Sequence, residues 1–265
     1  MSSKLYFVEG LPGAGKSTFA YRLQRQLYST IDNVVYYKEE TSQPVCLFRQ
    51  AIIPKQSYES LSKLISDETA QSMELNSYLL EKNVVVAYTK VQYSELERKT
   101  IFPQLRAYDI GDGRVPFDTY KKLHFQVWSA FVRNYGSRSQ AYITEGAFLH
   151  NQLLDILGFY DVCTNEILTY YKMLTDIIRP LPYKTYLLLS DDIEKLVRIT
   201  LQERGIEPNS WGAGFFKWMN LSPYCKKNNL NGISGMVDIY EKLETLSIQI
   251  LDYIGGDYEV IIRND

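Results

Sequence analysis

The sequence predicts an α/β fold in which a parallel sheet of five strands is covered by helices on both faces, a three-layer α/β/α arrangement. Short β-rich runs alternate with helical patterns along the chain, and this alternation is typical of parallel βαβ units. The length of 265 residues fits one large domain of this class. Hydrophobic residues at 45% and charged residues at 23% are ordinary for a globular enzyme and exclude disordered and fibrous proteins.

The predicted strands are followed by turns or by helices with clear start and stop signals. Apolar residues recur at helical spacing over residues 19–27, directly after a glycine-rich stretch. A capping-box pattern at Asp191 and Glu194 begins a later helix, which ends at Gly205. The last helix has a steady apolar face and is stopped by Gly255. The five predicted strands are residues 5–9, 34–38, 141–145, 185–189 and 258–262.

About a hundred residues separate the second and third predicted strands, which is too many for a simple crossover. The patterns there predict two helices, at about 58–81 and 120–135. They also predict two further strands or flap segments, at 84–91 and 109–113. The chain is therefore predicted to be a single domain, 1–265, with an insertion at about 46–120 and a lid at about 198–235.

Charge and composition exclude several partners. The chain has 29 Lys and Arg residues against 31 Asp and Glu, a net charge of -2, which makes nucleic acid a poor electrostatic match. No apolar run approaches the roughly 18 residues that a spanning helix needs, so no membrane partner is expected. The three cysteines form no CxxC pair and the two histidines lie near none of them, which predicts reduced thiols, no structural zinc and a cytoplasmic protein. The sequence leaves open whether the chain forms a homodimer.

The most specific motif follows the first predicted strand and fits GxxxxGK[ST], the P-loop. Its glycines let successive backbone N–H groups point into one concavity, and the dipole of the next helix adds to the attraction for phosphate. Lys16 is expected to reach the β- and γ-phosphates and Ser17 to bind Mg²⁺. These roles imply Mg²⁺ and a nucleoside triphosphate, taken as ATP although the motif does not specify the base. The predicted nucleotide-binding residues are Gly10, Leu11, Pro12, Gly13, Ala14, Gly15, Lys16, Ser17 and Thr18.

Acidic residues stand at the ends of two predicted strands, where ligands bind in an open parallel sheet. Glu145 ends the third strand and is expected to hold Mg²⁺ or a water bound to it. Glu39 and Glu40 follow the second strand, and either could accept the proton of an attacking hydroxyl. The alternative is that Glu39 and Glu40 are solvated charges at a strand end.

The helix after the fourth predicted strand carries two arginines, Arg198 and Arg204, which are expected to clamp the transferred phosphoryl group from a mobile lid. The segment that follows is rich in aromatic residues that could stack on a base. The alternatives are surface salt bridges for the arginines and a satellite core for the aromatic residues. Those aromatic residues are Trp211, Phe215, Phe216, Trp218 and Tyr224.

Gln126 and Arg133 lie seven positions apart on a predicted helix and therefore share one face, with the small residues Ser129 and Ala130 between them. A Gln and an Arg separated by small residues could leave a slot for a heterocycle. The ordinary polarity of an exposed helix face explains the pattern equally well.

Taken together, the P-loop, the acidic end of the second strand and the arginine-bearing lid helix resemble the deoxynucleoside kinase and thymidylate kinase group of P-loop kinases. The resemblance implies the strand order 2-3-1-4-5 and a Glu after the second strand as the catalytic base. Phe125 and Gln126, with Arg133 seven residues on, match a Phe-Gln pair and an Arg of deoxynucleoside kinases that bind the substrate base. The implied substrate-binding residues are Gln126, Arg133 and Glu145.

The sequence departs from that group at the end of the third strand. Gly146 and Ala147 follow Glu145 where the nucleoside kinases have Glu-Arg-Ser, so the arginine that contacts sugar and phosphate is missing. The Asp-Arg pair of thymidylate kinases is also missing. Residues 144–151 and the late segment 223–224 are instead similar to an uncharacterised bacterial family of P-loop ATPase-like proteins. The resemblance therefore bears more on fold than on substrate.

The expected function is ATP- and Mg²⁺-dependent phosphotransfer to a small acceptor, with a nucleoside or nucleotide favoured. A nucleotide-switched binding protein that hydrolyses ATP slowly is the alternative, and a catalytically silent scaffold ranks third. The expected catalytic residues are Lys16, Glu39, Glu40, Arg198 and Arg204.

Overall fold

The computed structural model describes residues 4–39 and 44–263. Within them the chain divides into two compact units. The first is built from Met1–Tyr36 together with Gly136–Asp265, and the second is Tyr37–Tyr135. The sequence predicts one domain with an insertion at about 46–120. The second unit of the structure begins earlier and ends later than that predicted insertion.

The described strands, numbered along the chain, are β1 (Lys4–Gly10), β2 (Val34–Tyr37), β3 (Ala51–Pro54), β4 (Ser77–Leu80), β5 (Asn83–Val86), β6 (Ala141–Glu145), β7 (Tyr183–Ser190) and β8 (Tyr258–Arg263). The first six described helices are α1 (Lys16–Leu27), α2 (Lys55–Ser62), α3 (Asp67–Leu75), α4 (Glu95–Thr100), α5 (Phe102–Arg106) and α6 (Phe117–Tyr135). The later ones are α7 (His150–Phe159), α8 (Thr164–Ile178), α9 (Ile193–Arg204), α10 (Trp211–Leu221), α11 (Pro223–Lys227) and α12 (Gly232–Ile254).

The larger sheet has the order β2-β6-β1-β7-β8 and contains all five segments predicted as strands. This numbering differs from the predicted 2-3-1-4-5, because β3, β4 and β5 fall between β2 and β6 in the chain and belong to another sheet. The pairs β1–β6, β1–β7 and β7–β8 are parallel. Val8 lies opposite Glu145, and Gly10 lies opposite Leu188, so these three strands end at the same edge of the sheet.

Helices flank this sheet, as a three-layer α/β/α fold requires. Ala20 and Leu23 of α1 pack against apolar residues of the strands, among them Val8 and Ile143. Phe7 belongs to the same β1 strand, and its ring stacks on Phe148 with the ring centroids 4.3 Å apart. Burial of large apolar side chains such as these is the main favourable free energy of folding. These contacts hold β1 in place up to the start of the glycine-rich loop.

The second unit is built on a small antiparallel sheet of order β3-β5-β4. The prediction of one helix over 58–81 is wrong in part, because the segment forms the two helices α2 and α3 and then the strand β4. Ser66 separates the two helices by capping α3, where its side chain accepts the Thr69 N–H. β5 lies largely inside the segment 84–91 predicted as strand or flap, and residues 111–114 form a turn. Among the described residues, no helix has both the length and the apolarity needed to cross a membrane.

Candidate functional site

The glycine-rich loop between β1 and α1 has a backbone that only glycine adopts without strain. Gly10, Gly13 and Gly15 have φ values of 146°, 87° and 84°. The loop is also packed too closely for side chains at two of these positions. A Cβ on Gly10 would lie 2.5 Å from the Leu188 carbonyl oxygen, and a Cβ on Gly13 would overlap the hydroxyl of Thr200. Both conformation and packing therefore require the glycines that the motif predicts.

The N-terminus of α1 is suited to an anion. Gly15 occupies the N-cap position, has a left-handed backbone and brings no side chain to accept the first N–H groups of the helix. The first turn of α1 contains no acidic residue. These N–H groups and the positive end of the helix dipole form a donor set that fits a phosphate group.

Lys16, the first residue of α1, adds a positive charge at the same place. Its side chain is buried, and its Nζ donates to the carbonyl oxygens of Gly10 and Leu11 at 3.1 and 3.2 Å. An ammonium group holds its protons in three rotatable N–H bonds, so it can exchange a backbone acceptor for a phosphate oxygen with little movement.

Ser17 and Glu145 meet beside this helix end. The Ser17 hydroxyl donates to Glu145 Oε1 at 2.6 Å, and the Tyr36 hydroxyl donates to Glu145 Oε2 at 2.6 Å. Glu145 is only 3% exposed, so the two hydroxyls hold a buried carboxylate in one orientation. Among the described residues, no three or more His, Cys, Asp or Glu side chains group as a metal site. A hydroxyl and a carboxylate oxygen are nevertheless the hard ligands that suit Mg²⁺, which keeps several waters and takes further ligands from phosphates.

Glu9 is a buried acid that the sequence analysis did not select. It is the residue of β1 before Gly10, and its carboxylate accepts the N–H groups of Phe148 and His150 at 2.9 Å each. Complete burial raises the pKa of Glu9 to about 7, against the opposing effect of these N–H groups and of the Lys16 charge. These two hydrogen bonds therefore link the end of β1, just before the glycine-rich loop, to the segment after β6. An acid ending an apolar strand next to a P-loop is the signal that could have found it.

The backbone after Glu145 explains one departure from the nucleoside kinases. Gly146 has a φ of 65°, a left-handed conformation that an arginine adopts only with strain. The N–H of Asn151 donates to the Gly146 carbonyl at 3.2 Å, which joins this turn to the start of α7. The backbone at Gly146 therefore disfavours an arginine at the position where the nucleoside kinases have one.

Arg198, one of the two predicted clamp arginines, lies on the side of α9 away from the loop. Leu196 and Thr200 are the α9 residues that a side chain on Gly13 would meet. Arg198 lies midway between them in sequence and hence on the opposite side of the helix, where its guanidinium pairs with Glu194 at 2.6 Å. The expectation that Arg198 clamps a phosphoryl group is therefore not supported by this arrangement. Arg204 lies one turn after Thr200, with its guanidinium 5.1 Å from the centre of the Trp211 ring.

The segment predicted as a lid, about 198–235, is helical and packed into the first unit. The rings of Phe215 and Trp218 lie 5.4 Å apart, and Trp218 also packs on Phe159 of α7 at 5.7 Å. The Ser222 hydroxyl donates to the carbonyl of Gly158, also in α7, at 2.7 Å. These contacts favour the alternative of a satellite core for the aromatic residues.

The remaining predicted residues belong to the second unit or lie outside the described residues. Glu39 follows β2 and is half-buried, whereas Glu40 lies outside the residues that the structure describes. Gln126 donates to Glu81 at 3.4 Å, and Arg133 is exposed. The buried residues of α6 are others, namely Tyr120, His124, Val127, Trp128 and Phe131. Within the second unit, Gln126 and Arg133 thus follow the polar face of their helix.

No protein-family model matches the chain, and no curated protein matches it in sequence. The function is therefore inferred from the geometry of the loop and of its neighbours.

Proposed function

We propose that the protein is a P-loop phosphotransferase that uses ATP and Mg²⁺ to phosphorylate a small-molecule acceptor, with a nucleoside or nucleotide favoured. The observation that carries the proposal is the 2.6 Å bond between Ser17 and Glu145, made at the open N-terminus of α1 behind three glycines of positive φ. This arrangement joins a phosphate cradle to a pair of Mg²⁺ ligands. It is supported by the position of β1, which lies between β6, ending in Glu145, and β7.

Different residues around the glycine-rich loop would bind the phosphates and the metal ion. The N–H groups at the start of α1 and the ammonium of Lys16 would bind the β- and γ-phosphates. Ser17 and Glu145 would hold Mg²⁺, which offsets negative charge on the phosphates during transfer. Tyr36 would keep the Glu145 carboxylate aimed at Ser17 through its bond to the other oxygen.

A further set of residues would serve the acceptor. Glu39 or Glu40 would take the proton from the acceptor hydroxyl. Gln126 and Arg133 would contact a heterocycle, as the resemblance to deoxynucleoside kinases implies. These roles are proposed from the sequence, and they are tested by the choice of acceptor.

The test is release of ADP from ATP and Mg²⁺ in a coupled assay, with panels of nucleosides, nucleotides and aminoglycoside-like alcohols. We expect turnover that an acceptor stimulates, and we expect Lys16→Ala to lose at least about 99% of it, because the lysine stabilises the charge that develops on the transferred phosphoryl group. Lys122→Ala changes an exposed lysine of α6 and serves as the matched control. Turnover that no acceptor stimulates would favour the nucleotide-switched ATPase. Full turnover by Lys16→Ala would reject the P-loop assignment itself.

A further inference from the structure

A side chain far from the motif in sequence contacts the phosphate loop. Arg263 is the last residue of β8, and its Nη1 donates to the Gly13 carbonyl oxygen at 2.7 Å. A Cβ built on Gly15 would lie 3.2 Å from the same Nη1 and 3.9 Å from Cζ. The guanidinium therefore lies against the loop at two of its glycines, next to the N-cap of α1.

The contact requires Arg263 to reach past a neighbouring strand. β8 is the edge strand of the sheet, and β7 separates it from β1. Arg263 lies opposite Ser190 of β7, whereas Gly10 lies opposite Leu188 of the same strand. The long side chain thus extends over the end of β7 to the loop that follows β1.

The place that the guanidinium occupies is electrostatically suited to an anion. The N-terminal end of α1 already carries the positive end of the helix dipole and the charge of Lys16. The Arg263 guanidinium adds further positive charge at this end of the helix, where a bound anion is favoured. A guanidinium also presents its N–H donors in a planar fork that matches phosphate oxygens.

We infer that Arg263 is a nucleotide-binding residue whose guanidinium contacts the polyphosphate of the nucleotide held by the loop. The inference rests on the proposed function and adds to it a phosphate ligand that the motif does not contain. Arg263 contributes to affinity for the phosphate chain, together with the N–H groups of the loop. Lysine replaces it poorly, because an ammonium lacks the planar fork.

The experiment is titration calorimetry of ATP with Mg²⁺, and of inorganic tripolyphosphate, into the whole chain and its variants. We expect Arg263→Ala to raise the Kd of both ligands by about tenfold, and Arg263→Lys by less, since hydrogen bonds to charged groups are worth about this much. Arg179→Ala is the matched control, because Arg179 is an exposed arginine of the same unit, pairs with Asp176 and precedes β7 at the end of the strand away from the loop. It should leave both Kd values unchanged. Circular dichroism and the melting temperature without nucleotide show whether each variant is folded.

Several results would overturn the inference. If Arg263→Ala and Arg179→Ala bind ATP equally well, Arg263 is not a ligand of the nucleotide. If Arg263→Ala weakens ATP but not tripolyphosphate, the arginine contacts the nucleoside and not the phosphates. If Arg263→Ala fails to fold, Arg263→Lys and Arg263→Gln take its place, and wild-type affinity in both overturns the proposal. A wild-type chain that binds no ATP rejects the proposed function and this inference together, whereas ATP binding unaffected by Arg263 rejects the inference alone.

Discussion

The Glu9 side chain, next to the glycine-rich loop, is an acid whose burial changes its pKa. Its carboxylate is fully buried and accepts backbone N–H groups from the segment that starts α7. Burial disfavours the charged form more than these bonds and Lys16 favour it, so the pKa of Glu9 rises from 4.5 to about 7. The folded protein therefore binds this proton more tightly than the unfolded chain does.

A pH dependence of stability follows from the raised pKa of Glu9. Between pH 4.5 and about 7 the folded state holds more protons on Glu9 than the unfolded state, so the free energy of unfolding falls as pH rises through this window. We expect wild type to lose about 3 kcal/mol relative to Glu9→Gln across the window, because glutamine resembles the protonated acid at every pH. Urea unfolding of both proteins at a series of pH values measures the difference.

Glu244 provides the control for this experiment. It accepts the Ser190 N–H at 3.3 Å, and burial raises its pKa to about 7 as well, so wild type has a second group with the same direction of pH dependence. Glu244 is present in both proteins, and its contribution cancels in their difference. A difference between wild type and Glu9→Gln that is constant from pH 4.5 to 7 would contradict the assignment.

At the level of residues, the sequence predicts the groups that belong to a local motif better than those that act across the fold. Lys16 and Ser17 follow from the spacing of the loop, and Glu145 follows from its place at a strand end. The Tyr36 hydroxyl reaches Glu145 from another strand, over a separation of 109 residues. No local pattern marks a contact of that range, because it depends on how strands are ordered in the sheet.

At the level of elements, α10 is held against α7 by an intimate contact. Gly158 of α7 has room for no side chain, since a Cβ there would overlap Cζ2 of Trp218. The Trp218 ring also packs edge-on against Phe159, with the ring centroids 5.7 Å apart. A lid that opens by moving α10 would have to break these contacts.

Gly158→Ala tests how firmly α10 is docked. We expect the variant to lose about 1–3 kcal/mol of stability, because the added methyl group forces Trp218 and α10 to shift in a close-packed region. Gly214→Ala is the matched control, since Gly214 is an exposed residue of α10 whose Cβ would have no neighbour within 4 Å. It should be neutral or stabilising by up to about 1 kcal/mol. Thermal unfolding of the two variants compares them, and an undisturbed Gly158→Ala would indicate a loose α10.

The elements themselves divide into those with strong local signals and those without. The glycine after Ile254 marks the end of α12 as predicted, whereas the cap predicted at Asp191 is one residue too early, because Asp192 caps α9 by accepting the Lys195 N–H. The segment 58–81 has no comparable stop signal, because neither proline nor glycine stands between its helical pattern and β4. Pairing of β4 with β5 decides this part of the chain, and strand pairing is a tertiary effect that overrides helix propensity.

At the level of the whole molecule, the chain has two compact units, and the glycine-rich loop after β1 belongs to the first. Nucleotide binding should therefore stabilise the first unit by mass action, by about 2.7 kcal/mol at a ligand concentration of one hundred times the Kd. We expect hydrogen exchange with ATP and Mg²⁺ to slow in β1, α1 and β6. Lys16→Ala should show no such slowing at the same nucleotide concentration. Protection confined to residues 44–135 would contradict the site assignment.

The overall class was predictable because sheet strands and their helices repeat a regular pattern, whereas the second unit does not. The five strands of the larger sheet are short apolar runs with clear turn signals. Apart from the 19-residue helix α6, the second unit combines four-residue strands with helices of at most nine residues, and its core cluster includes Met73 and Val86. Short elements carry too few residues for a periodic signal to emerge.

The interruption of the first unit by the second also has a consequence for synthesis on the ribosome. β1 pairs only with β6 and β7 in the described sheet, and both are translated after the whole of Tyr37–Tyr135. On the nascent chain, β1 and the glycine-rich loop therefore stay unpaired while more than a hundred further codons are read. An emerging chain stalled before β6 would have no means of completing the sheet, and chaperones that shield exposed strands would have their longest opportunity in that interval.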